Sequence, residues 1–282
     1  MREFFSVERA VNVTEFFTLY NPHYEENFNF LGEMHDFWEC FYIINGSACV
    51  SADDKIHYLS SGDIIFHKPM ELHKFYITDK NGADLLIFSF NMEGVLCAEM
   101  ENRVCKLNGS QLNIIEAFIE SIREDLRDNK KLNEDGLVNI LPLIKNQIGA
   151  IQKKSTFVEQ LILSLSQNGS NVKTPKTVES VLFKNAVKAM TDNINDTISV
   201  DEPASELNIS TSGLKRLFSK YAGMSVHKYF LRLKMKAATA MLQRGMTVSE
   251  VSDELGFSSQ GYFSAAYKRE TGNNPSKVQQ NP

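Results

Sequence analysis

The sequence predicts an α+β protein. A barrel-like, β-rich N-terminal half with flanking helices is followed by an all-α C-terminal domain of two repeated helical units joined by a longer helix. Three observations predict this. Short strand-like runs broken by turn residues occupy about residues 28–92. The apolar period changes to that of helices after about residue 110. From about residue 176 a helical pattern repeats with an offset of 48 to 49 residues.

The strand signals come first. Phe41, Tyr42, Ile43 and Ile44 run into Asn45 and Gly46, a pair that suits a hairpin turn because both tolerate positive φ. Ala48 to Ser51 continues as a strand, and Asp53, Asp54 and Lys55 turn again. Ser61, Gly62 and Asp63 precede Ile64, Ile65 and Phe66, and Leu85 to Phe90 is a further apolar run. Short, closely spaced strands with turn chemistry between them point to a sandwich or barrel.

Helices follow. Leu112, Ile115, Phe118, Ile119 and Ile122 form one face of an amphipathic helix over residues 111–128. A second helix is expected over residues 141–166, with Pro142 in its first turn and Phe157, Leu161 and Leu165 in one line. That line is expected either to pair two copies of the chain or to belong to its own core. Polar residues from Gln167 to Pro175 read as a linker. The division expected is 1–105 for the barrel, 106–170 for a helical connector, 171–178 for the linker and 179–282 for the repeat domain.

In the repeat, Ser199 to Glu202 and Thr247 to Glu250 are both capping-box patterns. A shift of 48 superposes them and pairs Leu207 with Leu255, and a shift of 49 pairs Leu214 with Phe263, Phe218 with Tyr267 and Gly223 with Gly272. Each copy is therefore a short helix, a tight turn and a longer helix closed by glycine. Leu214, Leu217 and Phe218 anchor the second helix of the first copy, leaving Thr211, Ser212, Lys215, Arg216 and Lys220 outside. In the second copy Phe263, Ala266 and Tyr267 anchor, leaving Ser259, Gln260, Lys268 and Arg269. Arg, Lys and Gln match base edges and phosphates, and serine at a helix N-terminus can bond a phosphate. The joining helix, from about Val226 to Gln243, carries Tyr229, Phe230, Leu233, Ala237, Ala240 and Met241 as an apolar stripe. At 1.5 Å per residue it spans about 27 Å, close to the roughly 34 Å between successive major-groove faces. Patterning alone leaves an ordinary helical bundle with solvated charges open.

The totals set bounds. The chain has 282 residues, enough for about two domains, with 43% hydrophobic and 23% charged residues. It shows no apolar run near the roughly 18 residues a membrane span needs, and Met1 to Phe5 has no signal-peptide layout. Cys40, Cys49, Cys97 and Cys105 lack zinc-ligand spacing and read as buried thiols in a reducing compartment. A cytoplasmic, membrane-free location is expected. The net charge of −5 divides unevenly. Residues 176–282 carry 14 Lys/Arg against 10 Asp/Glu, and residues 1–175 carry 16 against 25. A mildly basic domain on an acidic body suits a phosphate-bearing partner for that domain.

From about Thr197 to Val278 the sequence resembles the AraC family of transcription regulators. The carrying residues are Ala204 to Leu207, Leu214 to Phe218, Gly223 to Ser225, Tyr229, Leu233, Ala237, Leu242, Val251, Leu255 to Phe257, Tyr262, Phe263, Tyr267, Lys268, Gly272 and Pro275. The resemblance implies two helix-turn-helix subdomains on a linker helix and sequence-specific binding to promoter DNA. Its groove-reading positions fall on Ser212, Lys215 and Arg216, then on Ser259, Gln260, Gly261 and Ala265. Ala265 stands where the family often has a basic residue, and Gly261 where it has a polar one, so the second copy offers fewer hydrogen bonds to bases. Pro203 replaces an apolar residue near the start of a helix, where little hydrogen bonding is lost.

Residues 28–92 also resemble the cupin-type barrel often found at the front of this family, through His35 to Glu39, Tyr42, Gly46, Gly62, Asp63, Pro69 and Glu71 to His73. Metal-binding cupins have His-x-His, a Glu and a distant His, and here Glu33, His35, Glu39 and His73 fall near those positions. In regulators the barrel usually takes a small organic molecule. The expectation is therefore a small-molecule effector, with no metal and no cofactor, contacting Glu33, His35, Trp38, Glu39, Tyr42 and His73. Strand alternation groups His35, Phe37 and Glu39 against Asp36 and Trp38, so Trp38 faces either the pocket or away from it. The resemblance further implies a homodimer, contact with RNA polymerase and no enzymatic activity; an activator is one expectation, and the sequence leaves activator and repressor both open. The competing expectation is a metal-dependent cupin enzyme, with its metal at His35, Glu39 and His73 and the helical tail serving assembly.

Overall fold

The computed structural model describes residues 5–101, 103–127, 138–167, 170–171, 177–196 and 201–280. Its N-terminal half holds β1 (Asn12–Tyr20), β2 (His23–Tyr24), β3 (Trp38–Asn45), β4 (Ser47–Ala52), β5 (Lys55–Ser60), β6 (Asp63–His67), β7 (His73–Ile77) and β8 (Ala83–Glu93). Then come α1 (Cys97–Met100), β9 (Val104–Lys106), α2 (Gly109–Leu126), α3 (Leu141–Ile144), α4 (Ala150–Gln167) and β10 (Ser170–Asn171). The larger sheet runs β1-β8-β3-β6-β9-β10 with β2 on β8, and the smaller runs β5-β4-β7. All these pairings are antiparallel.

Two sheets face each other over an apolar filling. Phe41 and Ile43 of β3, Val50 of β4, Leu59 of β5, Ile65 of β6, Phe75 of β7 and Leu85 of β8 share this core. Alternate residues of β3, namely Trp38, Cys40 and Tyr42, lie in a different core with Phe118 of α2 and Leu161 of α4. A period of two assigns one set to the barrel interior and the other to the helical layer outside.

Two expectations change here. Asn45 and Gly46 do turn the chain, but β3 pairs with β6 and β8 while β4 pairs with β5 and β7, so the turn moves the chain between sheets instead of closing a hairpin. The expected helix over 141–166 is two helices. Gly149, at φ +76°, breaks it between α3 and α4. The line Phe157, Leu161, Leu165 is internal: Leu161 and Leu165 are buried, and Phe157 stacks on Phe118 with ring centroids 5.6 Å apart.

The C-terminal part is helical throughout: α5 (Val178–Asp192), α6 (Asp201–Glu206), α7 (Thr211–Ala222), α8 (Val226–Gln243), α9 (Val248–Glu254), α10 (Gln260–Thr271) and α11 (Pro275–Gln280). The joining helix α8 has the bounds expected from its stripe. Thr247 and Glu250 form the capping box of α9. Ser199 of the first capping box, and residues 172–176 of the expected linker, lie outside the described residues. Pro203 is the third residue of α6, where an amide N–H would have no intrahelical acceptor.

The two repeats have separate cores. Leu242, Val251, Leu255, Phe263 and Tyr267 pack in the second. Leu214, Leu217, Phe218 and Tyr229 pack in the first, with Phe183 of α5, and that core also takes in Cys49, Ile56 and Leu72 of the β-rich half. The first repeat and the barrel thus share apolar packing. Gly223 shows how close they come. It closes α7 at φ +67°, and a Cβ there would lie 2.0 Å from the Leu31 carbonyl oxygen. Gly272, its counterpart after α10, has φ +77° with open space around it. Both positions favour glycine, but only Gly223 is also pinned by the barrel. In urea unfolding, Gly272→Ala is expected to cost roughly 1 kcal/mol, and Gly223→Ala clearly more, about 3 kcal/mol. Equal losses would mean that Leu31 does not press on this turn.

Candidate nucleic-acid interface and sensor site

The two candidate recognition helices begin alike. Ser210 caps α7 by accepting the Gly213 N–H, and Ser259 caps α10 by accepting the Tyr262 N–H at 3.2 Å. Each cap holds the first turn while leaving other N-terminal amides unpaired, a local arrangement that suits a phosphate. On α7, Ser212, Lys215 and Arg216 are exposed and Thr211 is half-buried. Lys220 is exposed too, but its ammonium is bound to the Glu179 carboxylate of α5 at 2.5 Å. On α10, Ser259, Gln260, Gly261, Ala265, Lys268 and Arg269 are all exposed. Arg269 leans on Glu270 at 3.1 Å. Tyr262, 55% exposed in the first turn of α10, is a surface aromatic that the spacing argument did not single out.

The end of α7 is held by the barrel. Lys74 of β7 is almost wholly buried, and its ammonium donates to the Ser219 carbonyl at 2.9 Å and the Lys220 carbonyl at 2.7 Å. These are among the last carbonyls of the helix, which lack intrahelical partners and carry the negative end of its dipole. Ser51 of β4 donates to the next carbonyl, Tyr221. Lys236 of α8 pairs with Asp53 at the β4–β5 turn. Arg216 and Lys220 line a cleft of about 400 Å³ together with Asn27, Asn29, Lys74 and Tyr76. None of this was signalled by the sequence, because each contact joins residues more than a hundred positions apart.

The other site lies inside the β-rich half. Glu33, His35, Glu39 and His73 converge, with one ligand-type atom from each within 4.8 Å of all the others. Glu33 and His73 face each other across a backbone bridge, each N–H donating to the other's carbonyl at 3.0 Å. Glu39 is the inward residue of β3, and its carboxylate lies 3.2 Å from His73 Nε2. Burial alone would raise the Glu39 pKa, but His73 and His35 hold it well below the ordinary carboxylate range. Burial would likewise lower His73, and Glu39 and Glu33 instead lift it to about 10.

The structure does not bring all six expected ligand residues together. Trp38 and Tyr42 are on the opposite face of β3, against α2 and α4, because they are odd steps from Glu39. Two residues not singled out as ligands sit behind His73 instead. His67 stacks on it with centroids 4.4 Å apart, and Glu71 accepts from His67 Nδ1 at 2.8 Å.

Comparison with known proteins fits both halves. Residues 22–98 match the model of the AraC-like ligand binding domain, and residues 204–281 match that of a helix-turn-helix domain. The chain belongs to the AraC family of transcriptional regulators. It is 25% identical over 263 residues to the uncharacterized HTH-type transcriptional regulator YfiF of Bacillus subtilis, across 88% of this chain and 78% of that one. It is 21% identical over 262 residues to the HTH-type transcriptional activator RhaR of Escherichia coli, across 88% and 86%. Among solved structures, an AraC-type regulator from Chromobacterium violaceum aligns at 30% identity over 36% of this chain and 90% of that one, with a TM-score of 0.35. ToxT from Vibrio cholerae aligns at 13% identity over 97% and 98%, with a TM-score of 0.38. This regulator is thus DNA-binding, with an N-terminal domain of a ligand-binding type. Among its described residues, no helix is long and apolar enough to cross a membrane.

Lys74 gives the contact between the halves a direct test. Lys74→Met keeps the stem and removes three donors, leaving the α7 carbonyls without their partner. A loss of about 1–3 kcal/mol in urea unfolding of the full chain is expected. An unchanged midpoint would remove Lys74 as an anchor.

Proposed function

We propose that this AraC-family regulator reads promoter DNA with α7 and α10, and that the occupant of its barrel sets how tightly α7 is held. The observation that carries this reading is the capping of the α7 C-terminus by buried Lys74 of the barrel. A recognition helix bound at one end to a ligand-binding domain has its position biased by that domain. A ligand that favours the held arrangement over the released one, or the reverse, shifts the population and so the affinity for DNA.

The DNA contacts divide by chemistry. Arg216 and Lys215 would contact base edges or phosphates in the first half-site, with Thr211 and Ser212 at the helix start on the backbone. In the second, Gln260 would pair with adenine, Ala265 would meet thymine methyls, and Ser259, Lys268 and Arg269 would position the protein on phosphates. Gly261 adds no side-chain donor. Lys220 would serve DNA only after leaving Glu179. The effector contacts are Glu33, His35, Glu39 and His73. We further read the protein as a cytoplasmic homodimer that works with RNA polymerase, and as a regulator without catalytic activity. That reading rests on the family.

Full-length protein should be titrated against DNA from its own promoter by fluorescence anisotropy across a salt series. Affinity is expected to fall as salt rises, to favour promoter over unrelated DNA, and to drop by about 1–3 kcal/mol with Arg216→Ala. Binding that is absent at low salt would make the repeat a scaffold. Binding that ignores Arg216 would take base reading away from α7.

A further inference from the structure

We propose that Glu33, His35, Glu39 and His73 bind one divalent transition-metal ion in the barrel. The proposal rests on the reading of this barrel as a ligand-binding domain and names the chemical class of its occupant. It replaces the expectation of a purely organic effector.

The geometry carries the argument. His73 Nε2 lies 3.2 Å from a Glu39 oxygen and 3.6 Å from a Glu33 oxygen. His35 Nε2 lies 3.8 Å from the other Glu39 oxygen and 4.0 Å from the same Glu33 oxygen. In a tetrahedral site with metal–ligand bonds of about 2.1 Å, neighbouring ligand atoms are about 3.4 Å apart. These four separations bracket that value, so an ion fits with small side-chain adjustments.

The imidazoles are turned for ligation. His35 Nδ1 lies 3.0 Å from the Phe37 carbonyl, and His73 Nδ1 lies 3.1 Å from the Glu71 carbonyl. A carbonyl only accepts, so each Nδ1 carries a hydrogen and Nε2 is the nitrogen left to ligate, with a metal ion displacing any proton held there. Both Nε2 atoms are buried and face the two carboxylates across the cluster. His73 is 2% exposed. A ring whose far nitrogen is fixed by a backbone carbonyl is the usual support of a metal-bound histidine. Stacking fixes the ring planes as well: His35 on Phe37 at 3.8 Å, and His73 on His67 at 4.4 Å.

Charge and donor type narrow the ion. Two carboxylates with two neutral imidazoles carry −2, which one divalent cation neutralises. Two nitrogens and two oxygens suit zinc, iron(II), manganese or nickel, whereas calcium and magnesium prefer oxygen alone. The Glu33 side chain is 46% exposed, so one corner of the site opens to solvent, which suits exchange of the ion.

The test uses the full chain, stripped with a chelator and titrated with Zn²⁺ and Co²⁺ by calorimetry, melting temperature and visible absorption. One equivalent per chain is expected, with a raised melting temperature and the intense d–d bands of four-coordinate Co²⁺. His35→Ala and Glu39→Gln should each weaken binding at least about tenfold. Glu33→Gln, at the exposed corner, should do so with the fold kept, as checked by circular dichroism. No uptake by the wild type at micromolar metal would overturn the proposal and leave the cluster as histidines paired with carboxylates. Undiminished uptake by Glu33→Gln together with His35→Ala would also overturn it, by placing the ion elsewhere. Promoter binding in the same samples separates the two readings. DNA binding without metal uptake sinks only the metal, and metal uptake without DNA binding sinks only the DNA reading.

Discussion

A buried ammonium anchors the junction between the two halves of this protein. Lys74 leaves water to meet two carbonyls at the end of α7. Burying a lysine is costly unless its charge is answered, and among the described residues no carboxylate answers it directly. The dipole and free carbonyls of the helix do so instead. Burial pushes the Lys74 pKa down. Other contacts hold the same junction: the shared apolar core, the Ser51 hydroxyl on Tyr221, and the Lys236–Asp53 pair. Remove the lysine and the end of α7 loses its charged anchor on the barrel, leaving the Ser51 hydroxyl, the Lys236–Asp53 pair and the shared apolar core to hold it.

Strand alternation links that contact to the inner cluster. His73 and Lys74 are neighbours on β7, so one points into the barrel and the other out to α7. On the facing segment, Glu33 belongs to the cluster, while a Cβ on Gly32 would lie 3.1 Å from the Ala222 carbonyl oxygen. On both segments, a residue of the cluster and a residue against α7 are adjacent in sequence. The cluster and the end of the helix are therefore separated by only two short pieces of backbone, with no long relay of side chains.

Much of this was legible in the sequence where local chemistry decides structure. The apolar stripe defined α8 to the residue, and the offset between Thr247–Glu250 and its earlier counterpart marked two similar units. Local chemistry also set the limits. Asn45 and Gly46 specify a turn, but which strands pair afterwards depends on distant partners such as β6 and β8. Gly149 breaks what the pattern predicts as one helix, because the apolar period continues on both sides of it. Trp38 and Tyr42 were grouped with Glu39 by their chemistry, although strand parity puts them on the other face. Lys74 looked like any surface lysine in a strand, since only the fold brings α7 to it.

The core shared between barrel and first repeat bears on taking the molecule apart. A chain cut near residue 176 keeps both repeats yet loses Cys49, Ile56 and Leu72 from the core around Phe183 and Phe230, along with the donors of Lys74 and Ser51. The second repeat, with its own core, loses little. Such a fragment is lopsided: one reading head intact, the other stripped of its bracing. Its behaviour on DNA would mix two effects, freedom from the sensor and slackness in α7. A truncated regulator that acts constitutively would therefore not report what the intact molecule does once its ligand has been exchanged.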